Sequence, residues 1–168
     1  MRVGLAVMRI QPLHRGHTAI INHMNEECDI SIIGLGSVQE TNKWNPYTAD
    51  QRKQLIKNVY GDRVKIVPLN DISTQKGTND WVNYVIDRIT KIGLPEPTHY
   101  YSGSEADACW YTNWFPKENL HILPREFNIW PSATEIRTFL ETRNDAWKKY
   151  VPRVNWSIVD TYPEEYKV

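Results

Sequence analysis

The sequence carries no net charge: twenty lysines and arginines stand against twenty aspartates and glutamates in 168 residues. Without a basic surplus it lacks the electrostatic footprint of a nucleic-acid binder, and no nucleic-acid partner is expected. Cysteine is nearly absent. Cys28 and Cys109 have no metal-ligand spacing and are too few for the disulfide scaffold of a small secreted fold. Reduced thiols, no bound metal and a cytoplasmic location are the corresponding expectations. Long apolar runs are missing as well. Nothing approaches the roughly 20 residues that cross a bilayer, and Arg9 interrupts the apolar start too early for a signal peptide, so no membrane partner is expected. Internal repeats, low-complexity tracts and linkers are also lacking, which leaves residues 1–168 as one domain.

Aromatic side chains are plentiful, with seven Trp and nine Tyr against three Phe. Rings with polar handles suit pockets and rims. Along the chain, short β-rich runs alternate with segments of helical period. Residues 3–10, 30–36, 64–69, 98–102 and 120–123 read as strands. Residues 18–27, 49–59, 81–92 and, more weakly, 105–113 read as helices, with a long final helix from 133 to about 149. A closing helical tail occupies about 147–168. This succession predicts an α/β fold, a Rossmann-like doubly wound parallel five-stranded sheet with helices on both faces. Such sheets bind ligands beyond the carboxyl ends of their strands.

The chemistry-bearing segments follow strands. Arg9-Ile10-Gln11-Pro12-Leu13-His14-Arg15-Gly16-His17 joins the first strand to the first helix. A helix start offers unpaired N–H groups and a positive dipole end, His14 and His17 add side-chain donors, and Gly16 allows close approach. Arg9 adds a fixed charge. The plain alternative is that the histidines only cap the helix. Ser132-Ala133-Thr134-Glu135-Ile136-Arg137 opens the last helix; Ser132 and Glu135 have the spacing of a capping box, whereas Arg137 is not needed for capping. Ser132, Thr134 and Arg137 together suit a polyphosphate. Between these lie Gly34-Leu35-Gly36-Ser37-Val38-Gln39 and Asn45-Pro46-Tyr47-Thr48-Ala49-Asp50-Gln51-Arg52, and Trp81-Val82-Asn83-Tyr84-Val85 opens the third helix.

Taken in order, these segments resemble the nicotinamide-mononucleotide adenylyltransferases of the archaeal type, members of the H-x-G-H nucleotidyltransferase superfamily. The family pattern G-R-F-Q-P-x-H-x-G-H is matched at Arg9, Gln11, Pro12, His14, Gly16 and His17, with Met8 and Ile10 standing where the family has Gly and Phe. G-x-G-S-x-Q is matched at 34–39, N-P-F-T-x-x-x-R at 45–52, W-x-x-Y-V at 81–85 and S-A-T-x-I-R at 132–137. The closing Trp147-Lys148-Lys149-Tyr150-Val151-Pro152 also resembles the family's last helix. The polar stretch 73–80 has no counterpart in these patterns.

The resemblance implies a nucleotidyltransferase fold, stand-alone without the Nudix domain some members carry. It implies transfer of the adenylyl group of ATP to nicotinamide mononucleotide, giving NAD and pyrophosphate, with Mg2+ accompanying ATP. His14, His17, Arg9 and Arg137 are the expected catalytic groups. ATP would be bound by Arg9, Gln11, Pro12, His14, Gly16, His17, Ser132, Thr134 and Arg137. Nicotinamide mononucleotide would meet Gly36, Ser37, Asn45, Arg52, Trp81 and Tyr84, with Arg52 on its phosphate and Trp81 stacked on its ring. Relatives often self-associate, so a homo-oligomer is expected. Sister adenylyltransferases acting on nicotinic acid mononucleotide or phosphopantetheine share the H-x-G-H and S-x-T-x-x-R parts, and a non-catalytic nucleotide-binding regulator would share the site.

Overall fold

The computed structural model describes residues 1–75, 77–123 and 131–168. Five strands, β1 (Val3–Met8), β2 (Ile30–Leu35), β3 (Val64–Pro68), β4 (His99–Ser102) and β5 (Leu120–Ile122), form one parallel sheet in the order β3-β2-β1-β4-β5. β1 is central. The order reverses between β1 and β4, which creates the crevice where such sheets take ligands. β2 is buried from Ser31 to Leu35, in keeping with its unbroken apolar run.

Helices α1 (Arg15–Glu27), α2 (Ala49–Tyr60) and α5 (Ala133–Glu141) pack with the C-terminal tail on one face of the sheet, around Ile21, Met24, Leu55, Ile56, Ile136 and Trp147. Helix α3 (Asp80–Lys91) covers the other face with Val82, Val85 and Ile89, joined by Tyr111 and Phe115. Each fully buried Ile or Leu here contributes about 1.5–3 kcal/mol. Gly4 lets α1 sit close on β1: a Cβ there would lie 2.7 Å from the Met24 side chain and 2.8 Å from Cys28 Sγ. The doubly wound parallel sheet is as expected.

Several boundaries differ. α1 starts at Arg15, three residues early, because His14 supplies the N-cap. The segment 105–113 is a one-turn α4 (Glu105–Ala108) followed by a 3-10 turn at Cys109–Tyr111. The long final helix is two elements. α5 stops at Glu141, Arg143 adopts φ 58°, and Asn144 caps a separate 3-10 helix, Asp145–Tyr150, through Ala146 N. The tail then forms a 3-10 turn at Arg153–Asn155, α6 (Trp156–Val159) and a last turn at Glu164–Tyr166. No helix among the described residues is long and apolar enough to cross a membrane.

Candidate active site

The turn from β1 to α1 is held by reciprocal capping between two histidines. The Gly16 amide donates to His14 Nδ1 at 3.0 Å, and the His14 amide donates to His17 Nδ1 at 3.2 Å. The rings lie 3.8 Å apart between centroids. Since both Nδ1 atoms accept, the hydrogen-bond geometry assigns the proton of each neutral ring to Nε2. Capping thus uses Nδ1 of each ring. Ahead of the turn, buried Ile10 adopts φ 59°, a left-handed conformation that a β-branched residue enters at a cost of about 1–3 kcal/mol.

The second helix start is built as the spacing of Ser132 and Glu135 predicts. Glu135 N donates to Ser132 Oγ at 3.2 Å, and the Glu135 carboxylate accepts from Ser132. Arg137 leaves this cap and reaches the first turn: its Nη1 donates to Gln11 O at 2.9 Å and its Nη2 to Thr134 Oγ1 at 3.2 Å. One guanidinium therefore joins segments that lie 126 residues apart in sequence.

Arg9, Arg52 and Arg137 gather around this junction. Burial, and after it the Arg9 charge, lowers Arg52 to about 10, and the same two causes lower Arg137. Among the described residues none of the three forms an ion pair with a carboxylate. Mutually repelling cations beside a helix start form a setting that an anion relieves.

Two cavities open at the carboxyl end of the sheet. The larger, about 1000 Å³, is bordered by His14, Gly16 and His17 on one side and by Ser102, Gly103 and Ser104 on the other, with Leu123 beyond β5. It spans the β1–β4 reversal. The smaller, about 280 Å³, lies on the α3 side between Trp81, Trp110 and Tyr111, with Val7 and Asp71 completing its wall. Trp81 Nε1 donates to Tyr111 Oη at 2.9 Å, and Tyr84 lies 5.6 Å from the Trp81 ring, so the indole is held from two sides.

Of the residues the sequence singled out, His14, Gly16 and His17 border the larger cavity and Trp81 the smaller. Ser132, Thr134 and Arg137 meet the first turn through Arg137. Arg52 is placed differently. It is fully buried, its Nη1 donates to Arg9 O and Gly36 O at 2.7 Å each, its Nη2 donates to Ser37 O at 3.2 Å, and its Nε faces Thr48 O. Four of its five N–H donors point at backbone carbonyls, which ties the guanidinium into the loops around it. Gln11 is likewise turned inward, exchanging two hydrogen bonds with the Tyr47 backbone at 3.1 and 3.0 Å. The buried Pro12 backs the turn. Asn45 is buried, with Nδ2 on Asn42 Oδ1. Ser37, also buried, donates to Asp71 Oδ1 at 2.9 Å. Gly36 approaches the Arg9 side chain and gives its carbonyl to Arg52. Tyr84 spends its hydroxyl accepting from Asn70 N at 2.9 Å.

Sequence reasoning missed the turn after β4. Ser102 Oγ and Tyr100 Oη each donate to Asp107 Oδ2 at 2.7 Å, and Asp107 borders both cavities. The signal was available: Ser-Gly-Ser at the end of a strand beside the switch point, with a Ser104-x-x-Asp107 cap. In the stretch 73–80, Thr74 borders the smaller cavity, α3 begins at Asp80, and Lys76 lies outside the described residues.

The chain matches known proteins over the same parts. The family profile for cytidylyltransferase-like proteins matches residues 9–139. A nicotinamide-nucleotide adenylyltransferase of Methanococcus vannielii is 41% identical, over 87% of this chain and 81% of its own length. One from Methanococcus aeolicus is 30% identical over 98% and 92%, respectively. Among solved structures, a bifunctional NMN adenylyltransferase/ADP ribose pyrophosphatase from Francisella tularensis superposes with a TM-score of 0.72 at 22% identity. That alignment covers 94% of this chain and 52% of the other, so the chain spans about half of the bifunctional protein. With the β1–α1 turn, the second helix start and the sheet order in place, the chain belongs to the cytidylyltransferase-like family and, within it, to the nicotinamide-nucleotide adenylyltransferases.

Proposed function

We propose that this nucleotidyltransferase joins ATP and nicotinamide mononucleotide into NAD, releasing pyrophosphate. The observation that carries the reading is the Arg137–Gln11 hydrogen bond, which brings the Ser132–Arg137 helix start onto the H-x-G-H turn beside Arg9. In the reaction an oxygen of the mononucleotide phosphate attacks the α-phosphorus of ATP. A new P–O bond forms as the bond from that phosphorus to the α–β bridging oxygen breaks, and its electron pair leaves with pyrophosphate. With a second pKa of about 6, the attacking phosphate is already largely ionised, so the step needs no general base. Alignment and charge neutralisation suffice.

His14 and His17 would donate from Nε2 to the phosphates, Gly16 would give them room, and Arg9 and Arg137 would neutralise the leaving group. Ser132 and Thr134 would hold the outer phosphates. Arg52 is reassigned as a positioning residue: by gripping the carbonyls of Arg9, Gly36 and Ser37 it fixes the loops after β1 and β2. Gln11 and Asn45 would serve the same framework. Trp81, steadied by Tyr84 and Tyr111, would face the nicotinamide ring. Nitrogen donors at the phosphate end suit phosphate oxygens and not a hard cation. Among the described residues no group of three His, Cys, Asp or Glu could hold a metal. Magnesium therefore fits as the companion of ATP, bound by phosphate oxygens and water.

The test is incubation with ATP, magnesium and, separately, nicotinamide mononucleotide, nicotinic acid mononucleotide and phosphopantetheine. NAD and pyrophosphate in equal amounts are expected. Turnover of phosphopantetheine alone would point to the sister enzyme, and ligand binding without pyrophosphate would point to a regulator.

A further inference from the structure

The smaller cavity is aromatic and acidic at once. Trp81, Trp110 and Tyr111 supply ring faces, Asp71 and Asp107 supply carboxylates, and none of the described residues around it is basic. Asp107 is the residue shared with the larger cavity, so its side chain borders both. Its side chain is fixed, with Tyr100 Oη and Ser102 Oγ both donating to Oδ2 at 2.7 Å. Both of these hydrogen bonds fall on one oxygen, so Oδ1 retains acceptor capacity.

Resting on the reaction assigned above, we propose that Asp107 is a specificity-determining residue that selects the amide mononucleotide over the acid. A carboxamide presents two N–H donors to a carboxylate acceptor, whereas a carboxylate substituent presents acceptors only. The pyridinium ring carries a positive charge that aromatic faces and nearby carboxylates both favour. The acid form would set a third carboxylate beside Asp107 and Asp71, and discrimination of this kind works by repelling the wrong ligand as much as by holding the right one. Asp71 is held by Ser37 and Gln39 at 2.9 and 3.1 Å, so it cannot simply swing away without breaking both bonds.

Protonation supplies a second handle on the same residue. Burial raises the Asp107 pKa above the ordinary carboxylate range, while the hydrogen bonds from Tyr100 and Ser102 oppose that shift. The titratable groups around it are Tyr100 on β4, Tyr111 and Glu105 on its own segment, Asp71 across the smaller cavity, and His14 and His17 across the larger. As pH falls, the group turns neutral and its repulsion of the acid mononucleotide fades.

The experiment compares kcat/KM for the two mononucleotides at saturating MgATP, in wild type and in Asp107→Asn. Asn keeps an acceptor for Tyr100 and Ser102 and removes the charge. Wild type should favour the amide by at least ~10-fold, and Asp107→Asn should shrink that ratio by roughly tenfold, chiefly through a lower KM for the acid. Should the variant fail to fold, the wild-type ratio measured at pH 8 and at pH 5.5 asks the same question, with a smaller ratio expected at the lower pH. NAD formation with a ratio unchanged by the variant, or by pH where the variant does not fold, overturns the role of Asp107 alone. No dinucleotide from either mononucleotide overturns the assigned reaction, and this inference with it.

Discussion

The two ends of the crevice are built on opposite principles. At the end proposed for the phosphates, Arg9 and Arg137 lie by two helix starts, and the polar groups are backbone amides, imidazoles and guanidiniums. At the ring end, Trp81, Trp110 and Tyr111 form the wall, with charge of the opposite sign from Asp71 and Asp107. A dinucleotide carries the same polarity, anionic in the middle and a cationic ring at one tip. At the phosphate end each helix start is capped by hydrogen bonds close in sequence and Arg137 ties the two starts together across 126 residues, whereas the ring end depends on packing between α3, the turn after α4 and the loop after β3. Substitutions at the first should therefore lower turnover, and those at the second should weaken binding of one substrate.

The largest effect is expected from Arg52, which serves the framework of both ends. Arg52→Ala strands three backbone carbonyls beside a cavity and should cost about 3 kcal/mol of unfolding free energy, read as a lower denaturation midpoint with an unchanged m-value. If instead stability held and only the KM for the mononucleotide rose, Arg52 would be a ligand after all. His17→Ala comes next, with a fall in kcat of at least ~100-fold, the scale of a lost transition-state donor. Because His17 also caps α1, a thermal melt has to accompany the kinetics; near-normal turnover in folded protein would sink the phosphate role. Trp81→Ala should raise the KM for nicotinamide mononucleotide by roughly tenfold while leaving that for ATP within about twofold. Equal changes in both would erase the distinction between the two ends.

Much of this was legible in the sequence, for identifiable reasons. β2 and α3 announced themselves by an apolar run and a clear helical period, and the capping box at Ser132–Glu135 formed as its spacing implies. The break after α5 was not legible. It depends on Arg143 taking φ 58° without a glycine or proline to mark it, and apolar residues continue at helical spacing into the next element. Arg52 is ambiguous for a different reason: an arginine in the first turn of a helix reads the same whether it faces a phosphate or three carbonyls. Which one it faces is decided by the loops after β1 and β2, distant in sequence. Asp107 escaped notice because Ser104-x-x-Asp107 is explained locally as a cap, and its second role exists only where the turn after β4 meets α3.

The assigned reaction requires attack at the α-phosphorus of ATP. Wild-type protein supplied with nicotinamide mononucleotide, magnesium and ATP labelled either at the α- or at the γ-phosphorus decides it. The α-label should appear in the dinucleotide and the γ-label in pyrophosphate, in equal amounts and only when the mononucleotide is present. Release of γ-label as inorganic phosphate, or pyrophosphate release indifferent to the mononucleotide, would contradict the assignment.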